Sequence, residues 1–229
     1  CVGTEIWKRV NVEPSGNAYN SLTELEREKG IPRNPFINSG ALVIADILLS
    51  HFKNPKAELL KFVHHLTGDK TIAYNKNVSR SEQEHGFRNT ALVNYMKALG
   101  NTHNEPEEIL DFYYNQCAIA MSCKQLAKAF TIFANAGRLF TTGEEIIEAQ
   151  EAKRINAIMQ TCGFYDEAGE FSYRVGLPGK SGVGGGIVAV HPGLYTVAVW
   201  SPPLNDKGNS TKAMKALEAF TYITNSSIF

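Results

Sequence analysis

A glycine-rich segment near the end of the chain restricts the fold more than any other feature of the sequence. Lys180 and Ser181 are followed by four glycines within five residues, and then by the apolar run at residues 187–190. Glycines let another molecule approach the backbone closely, and a short run rich in β-branched residues is typical of a buried strand. The segment therefore predicts a strand edge open to a substrate. The alternative is a glycine-rich bulge without chemistry.

The apolar periodicity divides the chain into a helical part and a later part with strands. Prolines, caps and glycine stops predict helices at about residues 22–29, 41–49, 55–66, 89–99, 105–114, 122–136 and 144–160. After Gly163 the pattern predicts two strands, residues 185–190 and 195–200, and a helix from Ser210 or Thr211 to about Thr224. Two antiparallel strands and one helix are too few to form a stable sheet with a covered face. Further strands are therefore expected in a segment before Cys1.

The composition is that of an ordinary globular protein, with 43% hydrophobic and 20% charged residues. Lys plus Arg and Asp plus Glu are equal at 23 each, so nucleic acid is not an expected partner. No apolar run reaches the ~18–20 residues of a membrane span, so no membrane partner is expected. The cysteines Cys1, Cys117, Cys123 and Cys162 form no dense framework, which favours free thiols and a cytoplasmic location.

Nucleotide, cofactor and metal sites are not indicated by the sequence. A P-loop ending at Lys180 would need glycine in place of Arg174, and a dinucleotide fingerprint would need glycine in place of Ile187. None of the six histidines has a partner at ligand spacing, and the adjacent His64 and His65 point in different directions on a helix. We therefore predict no metal and no cofactor.

The triplet Lys180-Ser181-Gly182 is a signature of serine hydrolases whose nucleophile is the Ser of a Ser-x-x-Lys motif. The one such motif in the chain joins Ser50 to Lys53 and follows a long apolar run. Ser50 would therefore lie at the end of a helix, whereas a nucleophile of this class belongs at a helix start, where backbone N–H groups stabilise an oxyanion. We predict that Ser50 closes a helix, and a catalytic Ser50 is the alternative.

Two further polar segments have simple structural interpretations. Asn38 or Ser39 is the natural N-cap of the helix that follows it, and capping alone would explain these residues. Residues 79–89, which include Glu82 and Asn89, are polar without periodicity and predict a solvated loop.

Taken together, several segments resemble the serine-dependent glutaminase family, which has the fold of β-lactamases and penicillin-binding proteins. The matching segments are residues 12–16, 32–41, 81–82, 86–89, 113–117, 161–166 and 176–187. The resemblance implies an α/β (α+β) fold of β-lactamase/transpeptidase type, with an antiparallel sheet flanked by helices and a large helical subdomain. It also implies one catalytic domain over residues 1–229, incomplete at its N-terminus, in which residues 1–160 are mainly helical and residues 161–229 complete the α/β part.

The family's substrate-contacting positions fall on Asn38, Glu82, Asn89, Tyr113, Tyr165 and Val183. By this resemblance, Glu82 meets the α-ammonium of glutamine, neutral donors meet its α-carboxylate, and the Val183 N–H donates to the oxyanion. Tyr165 relays a proton with the help of either Lys180 or the lysine of the Ser-x-x-Lys motif, and Tyr165 and Lys180 are the implied catalytic residues. For both Tyr113 and Tyr165, a half-buried core ring is the alternative.

The implied activity is hydrolysis of L-glutamine to L-glutamate and ammonia through a glutamyl-serine intermediate. The family's Ser-x-x-Lys precedes residues 12–16, so the nucleophile is expected upstream of residue 1, and the 229 residues alone are expected to fold poorly and to be inactive. The resemblance also implies a homo-oligomer, either a dimer or a tetramer. Two alternatives remain: a β-lactamase or esterase type of serine hydrolase, and a non-catalytic remnant that binds glutamine or glutamate.

Overall fold

The computed structural model describes residues 5–229, which form two compact units. The first unit comprises the described residues up to His65 together with Asp69–Ala120, and the second comprises Leu66–Gly68 together with Met121–Phe229. The division of the chain into catalytic subdomains stays a prediction.

The first unit is mainly helical. Its elements are α1 (Ile6–Arg9), α2 (Leu22–Arg27), α3 (Asn38–His51), α4 (Pro55–Thr67, whose last turn belongs to the second unit), β1 (Ala73–Tyr74), α5 (Lys76–His85), α6 (Phe87–Ala98), α7 (Pro106–Cys117) and β2 (Ile119–Ala120). The two strands pair antiparallel, with Ala73 opposite Ala120. Fully buried residues of α3, α6 and α7, such as Leu42, Leu92 and Ile109, form the core because each helix turns its apolar side inward.

A buried ion pair crosses this core. Asp46 on α3 is fully buried and accepts hydrogen bonds from the Arg9 guanidinium, the backbone N–H groups of His103 and Asn104, and the Asn104 side chain. Burial alone would raise the pKa of Asp46, but these donors outweigh it and hold the pKa below its usual value. The donors thus keep a charged carboxylate inside the unit and fix the middle of α3.

The second unit contains the larger sheet. Its elements are α8 (Cys123–Ala134), α9 (Ala149–Cys162), α10 (Ala168–Arg174), β3 (Gly179–Ser181), β4 (Gly186–His191), β5 (Tyr195–Trp200) and α11 (Thr211–Thr224). The sheet is antiparallel in the order β3-β4-β5. Since side chains alternate between the faces of a strand, Ile187 and Ala189 pack with Leu217 of α11, while Thr196 lies on the other face and donates to the Ala127 carbonyl of α8.

Most sequence-predicted elements of the second unit are confirmed. Strands β4 and β5, helix α11 with its Ser210 cap, and the capping box of Ser122 with Gln125 all occur. The third strand, β3, was not predicted, because three residues between glycines carry no periodicity. The predicted start of α9 at Glu144 was wrong, since residues 144–148 precede the helix and Glu145 bridges Arg138 instead.

The predicted loop at residues 79–89 was also wrong. Helix α5 runs to His85 and α6 begins at Phe87, so only Gly86 separates two helices. None of the helices within residues 5–229 combines the length and apolar character needed to cross a membrane.

Candidate active site

The N-terminal end of α3 places Asn38 at the surface of the first unit. The predicted N-cap role of Asn38 or Ser39 is wrong: Ile37 is the N-cap residue and Asn38 already lies in the helix. The buried Asn34 organises the approach to the helix instead, because its side chain accepts from the N–H groups of Phe36 and Ile37 and donates to the Glu13 carbonyl. The side chain of Asn38 is therefore not needed for capping.

Gly40 explains why this turn packs so closely against α3. A Cβ atom at Gly40 would lie 2.0 Å from the Asn34 carbonyl oxygen. Only glycine fits there, which gives a structural reason for the Asn-Ser-Gly sequence at the start of the helix.

Asn38 is linked directly to a second predicted site residue. Its Nδ2 donates to Oδ1 of Asn89 on α6 over 2.8 Å. Asn89 is buried and also bonds to the Tyr114 hydroxyl, which donates to the Gly86 carbonyl oxygen at 3.3 Å. This chain of contacts joins α3, the junction between α5 and α6, and α7.

Glu82 and Tyr113 belong to the same group of side chains. Glu82 is half-buried on α5, and its charge acts on Tyr113 and Tyr114 of α7. Tyr113 is buried, and loss of solvation is the main reason why its pKa is raised, followed by the neighbouring Cys117 and Glu82. A hydroxyl held in its neutral form can donate a hydrogen bond to an anionic group.

Sequence reasoning overlooked Cys117, which lies one helical turn after Tyr113 and forms a side-chain hydrogen bond with it. Protein atoms around the thiol raise the pKa of Cys117 to about 11, with the Tyr113 hydrogen bond opposing the shift and Glu82 adding to it. Side chains four residues apart on one helix lie next to each other, so this spacing could have predicted the contact between Tyr113 and Cys117.

In the second unit, Tyr165 adopts an uncommon backbone conformation. It follows the C-terminal end of α9 and has a φ of 56°, in the left-handed region that disfavours side chains. Gly163, two residues earlier, is in close contact with β3: a Cβ there would lie 1.8 Å from the Gly179 carbonyl oxygen, and Ser181 N–H donates to the Gly163 carbonyl. The turn thus holds Tyr165 next to the strand that carries Lys180.

Tyr165 and Lys180 converge on one backbone oxygen. The Tyr165 hydroxyl donates to the Ser181 carbonyl at 3.3 Å, and the Lys180 ammonium donates to the same oxygen. Lys180 Nζ also lies 4.5 Å from the centre of the Tyr165 ring. Loss of solvation lowers the pKa of Lys180 to about 8, so the amine exchanges its proton more readily than an exposed lysine does.

Val183 lies in the tight turn between β3 and β4. The turn is closed by hydrogen bonds from Gly182 N–H to the Gly186 carbonyl and from Gly185 N–H to the Gly182 carbonyl, and Val183 is 49% exposed. Within residues 5–229, the Val183 N–H has no hydrogen-bond acceptor. The geometry leaves this donor available to a bound group.

Ser50 does not join either group. It lies in the last turn of α3, about 18 Å along the helix from Asn38 at 1.5 Å per residue. Its hydroxyl donates to the Asp46 carbonyl and accepts from the Asn104 side chain. The prediction that Ser50 closes a helix is confirmed. Within residues 5–229, no cluster of three or more His, Cys, Asp or Glu side chains is arranged to hold a metal ion.

The antiparallel sheet with flanking helices and the separate helical unit are a mixed α/β fold of the β-lactamase-like class. Solved structures of this class match closely. A Bacillus glutaminase in the presence of 4.3 M NaCl superposes with a TM-score of 0.91 at 35% identity, covering 98% of this chain and 78% of that one. A covalent complex of a Bacillus subtilis glutaminase with 5-oxo-L-norleucine gives a TM-score of 0.85 at 31% identity, covering 98% and 74%.

Sequence comparison gives the family. The family model described as Glutaminase matches residues 1–229. A glutaminase of Christiangramia forsetii is 63% identical over 228 residues, which are 100% of this chain and 75% of the relative. The chain belongs to the glutaminase family, the amidohydrolases that convert L-glutamine to L-glutamate and ammonia.

Proposed function

We propose, from the family resemblance, that Asn38, Glu82, Asn89 and Tyr113 bind the amino-acid end of L-glutamine and that Tyr165, Lys180 and Val183 act on its side-chain amide. In the first unit, the half-buried Glu82 has no ion-pair partner among the described residues and is suited to the α-ammonium. Asn38 and Tyr113 supply neutral donors for the α-carboxylate, and Asn89 orients Asn38. Both charges of the zwitterion would then be satisfied.

In the second unit, Val183 and Tyr165 are given different roles. The free N–H of Val183 donates to the oxyanion that forms when the amide carbon is attacked. Tyr165 carries a proton between the nucleophile and the leaving ammonia, and the Lys180 ammonium beside the ring favours the phenolate that this transfer creates. The single observation that carries this proposal is that the Tyr165 hydroxyl and the Lys180 ammonium both donate to the Ser181 carbonyl.

The proposed nucleophile is the serine of a Ser-x-x-Lys motif outside these 229 residues. The chain spans 75% of the length of the Christiangramia forsetii relative. The serine oxygen bonds to the amide carbon, the C–N bond breaks with protonation of the nitrogen, and water then hydrolyses the glutamyl ester to glutamate. The covalent complex of the Bacillus subtilis enzyme supports a covalent route.

Location and assembly are part of the same proposal. The described cysteines Cys117, Cys123 and Cys162 are free thiols, which supports a cytoplasmic site of action. A homo-oligomer, dimeric or tetrameric, is proposed from the family resemblance, and light scattering of the purified protein tests it.

The proposal is tested by measuring ammonia release from L-glutamine by the protein expressed from its complete reading frame. Tyr165→Phe keeps the ring but removes the hydroxyl, so we expect kcat to fall by about 10²–10⁴-fold with little change in KM. Unchanged kcat in this variant would rule out the proton-transfer role.

Glu82→Gln separates the glutaminase from an esterase or β-lactamase type of hydrolase. Loss of the carboxylate should weaken glutamine binding by about 10–100-fold, the value of a charge-assisted hydrogen bond. Hydrolysis of a neutral ester should be unaffected, because an ester has no α-ammonium. Equal losses for both substrates would contradict the assignment of Glu82, and no turnover by a well-folded complete protein would favour a binding remnant.

A further inference from the structure

The loop after β5 contacts the chain on both sides of Tyr165. Residues 201–210 connect β5 to α11, and three side chains of this loop, Asn205, Lys207 and Asn209, bond to the turn that contains Tyr165. The glutaminase assignment does not use these residues, although they lie next to the proposed proton carrier.

Asn209 makes the central contacts. It is fully buried, and its Nδ2 donates to the Phe164 carbonyl oxygen at 3.3 Å and to Oε2 of Glu167 at 2.5 Å. Asn205 donates to the same Glu167 oxygen at 2.8 Å. The Asn209 amide thus binds Phe164, the residue before Tyr165, and the amides of Asn205 and Asn209 both bind Glu167, two residues after it.

The loop is itself held in shape by its two asparagines. The N–H of Asn205 donates to the Asn209 carbonyl at 2.7 Å, and the N–H of Asn209 donates to Oδ1 of Asn205 at 3.0 Å. Asn205 and Asn209 bind each other as well as Glu167. Because of these mutual hydrogen bonds, the side chains that contact the turn have few alternative positions.

Two other anchors complete the arrangement around Tyr165. Lys207 Nζ donates to the Asp166 carbonyl at 3.4 Å and lies 3.6 Å from the Asp166 carboxylate. The Phe164 ring is fully buried and stacks on Phe171, with the ring centres 3.5 Å apart. The residues before and after Tyr165 are therefore fixed by contacts outside the turn itself.

Such fixation is needed because the Tyr165 backbone is strained. A non-glycine residue with positive φ is unfavourable and persists only when its surroundings impose it. The turn is also held by its own hydrogen bond from Glu167 N–H to the Phe164 carbonyl and by the bond from Ser181 N–H to the Gly163 carbonyl. Loss of the loop donors would remove part of this support and let the Tyr165 hydroxyl shift relative to the Ser181 carbonyl and Lys180.

We infer that Asn209, acting with Asn205 and Glu167, is a positioning residue for Tyr165 and so sets the rate of amide hydrolysis without touching the substrate. The inference rests on the proposed function of Tyr165. A displacement of about 1 Å in a reacting group costs on the order of 10²-fold in rate. Loss of the Asn209 contacts should therefore lower kcat by about 10–100-fold and leave KM nearly unchanged.

The test uses the complete protein and two substitutions of Asn209. Asn209→Ala removes both donors without adding a charge, so we expect kcat to fall by about 10–100-fold. Asn209→Asp also places a carboxylate against Glu167 and against the Phe164 carbonyl, so we expect a larger fall than in Asn209→Ala. Glu167→Gln should have a mild effect, because its amide oxygen still accepts from both asparagines. Unchanged kcat in both Asn209 variants would overturn the inference.

A matched control separates positioning from general stability. Glu145→Gln breaks the ion pair between Arg138 and Glu145 in the same unit, and no hydrogen bond or ion pair within residues 5–229 joins either residue to the Tyr165 turn. Its kcat should equal that of the unmodified protein even if its melting temperature falls. Equal kcat losses in Glu145→Gln and Asn209→Asp at matched melting temperature would assign Asn209 a merely structural role.

A final comparison distinguishes failure of the inference from failure of the proposed function. In a Tyr165→Phe background, Asn209→Ala should cause little further loss, because the group that it positions is already gone. If Tyr165→Phe is fully active, the proposed function fails. If Tyr165→Phe is inactive but Asn209→Ala and the milder Asn205→Ala keep full kcat, only the positioning role fails.

Discussion

At the scale of single residues, two buried carboxylates of the first unit show opposite responses to their surroundings. Asp46 receives several donors, which hold its pKa below the usual value in spite of burial. Glu24 is also buried, but its Oε1 has no hydrogen-bond partner within residues 5–229, and burial raises its pKa to about 7 in spite of the charge of Arg33. Hydrogen-bond donors, rather than depth of burial, decide which carboxylate stays charged.

Glu24 gives a prediction with a definite sign. Its folded-state pKa lies above the unfolded value of 4.5, so its contribution to stability is complete below pH 4.5 and is lost as pH rises through about 7. Glu24→Gln should therefore stabilise the complete protein at pH 8 by about 1–3 kcal/mol and change it little at pH 4. Urea midpoints at the two pH values measure this difference, with Glu26→Gln, an exposed position on the same helix, as control. Equal effects of Glu24→Gln at both pH values would contradict it.

At the scale of elements, the junction between α5 and α6 shows how packing overrides a weak local signal. Residues 79–89 lack apolar periodicity, yet they form helices because α5 and α6 both pack on α7. A start signal was present, since Asn75 caps α5 by accepting from the N–H groups of Asn77 and Val78. Gly86 permits the junction, because a Cβ there would lie 1.8 Å from the Tyr114 hydroxyl.

Gly86→Ala should therefore disturb the group of residues proposed to bind glutamine. The added methyl displaces Tyr114 and the start of α6, which carries Asn89, so we expect a loss of about 1–3 kcal/mol in stability and a rise in KM larger than the fall in kcat. Gly169→Ala on α10 is the control, since its Cβ would meet nothing within 4 Å. Thermal melting and steady-state kinetics measure both effects. An unchanged KM in Gly86→Ala would show that the junction does not support binding.

At the scale of the whole molecule, the described residues contain the proposed binding and oxyanion groups but place Ser50 at the wrong end of α3 for a nucleophile. We therefore expect the 229 residues expressed alone to release no ammonia from L-glutamine, while the complete reading frame does. Circular dichroism of both samples shows whether the shorter one folds. Turnover by the 229 residues that Ser50→Ala abolishes would restore Ser50 as the nucleophile.

The sequence alone determined the features that depend on neighbours along the chain. The glycine-rich turn before β4, the capping box at Ser122 and the Pro106 start of α7 are local, because each rests on the conformation of a few consecutive residues. The family motifs are runs of consecutive residues, so the resemblance to glutaminases could be recognised from the sequence. The roles of the individual site residues remain predictions.

Only the tertiary structure decided which side chains are free to act and which are held. The sequence predicts Asn38 as a helix cap, whereas the structure shows that Asn34 organises that turn. The positive φ of Tyr165 is likewise visible only in the folded backbone. Asn209 meets Phe164 across 45 residues of sequence. Such contacts depend on where distant segments pack, and packing is set by the burial of whole helices and strands, which no short stretch of sequence encodes.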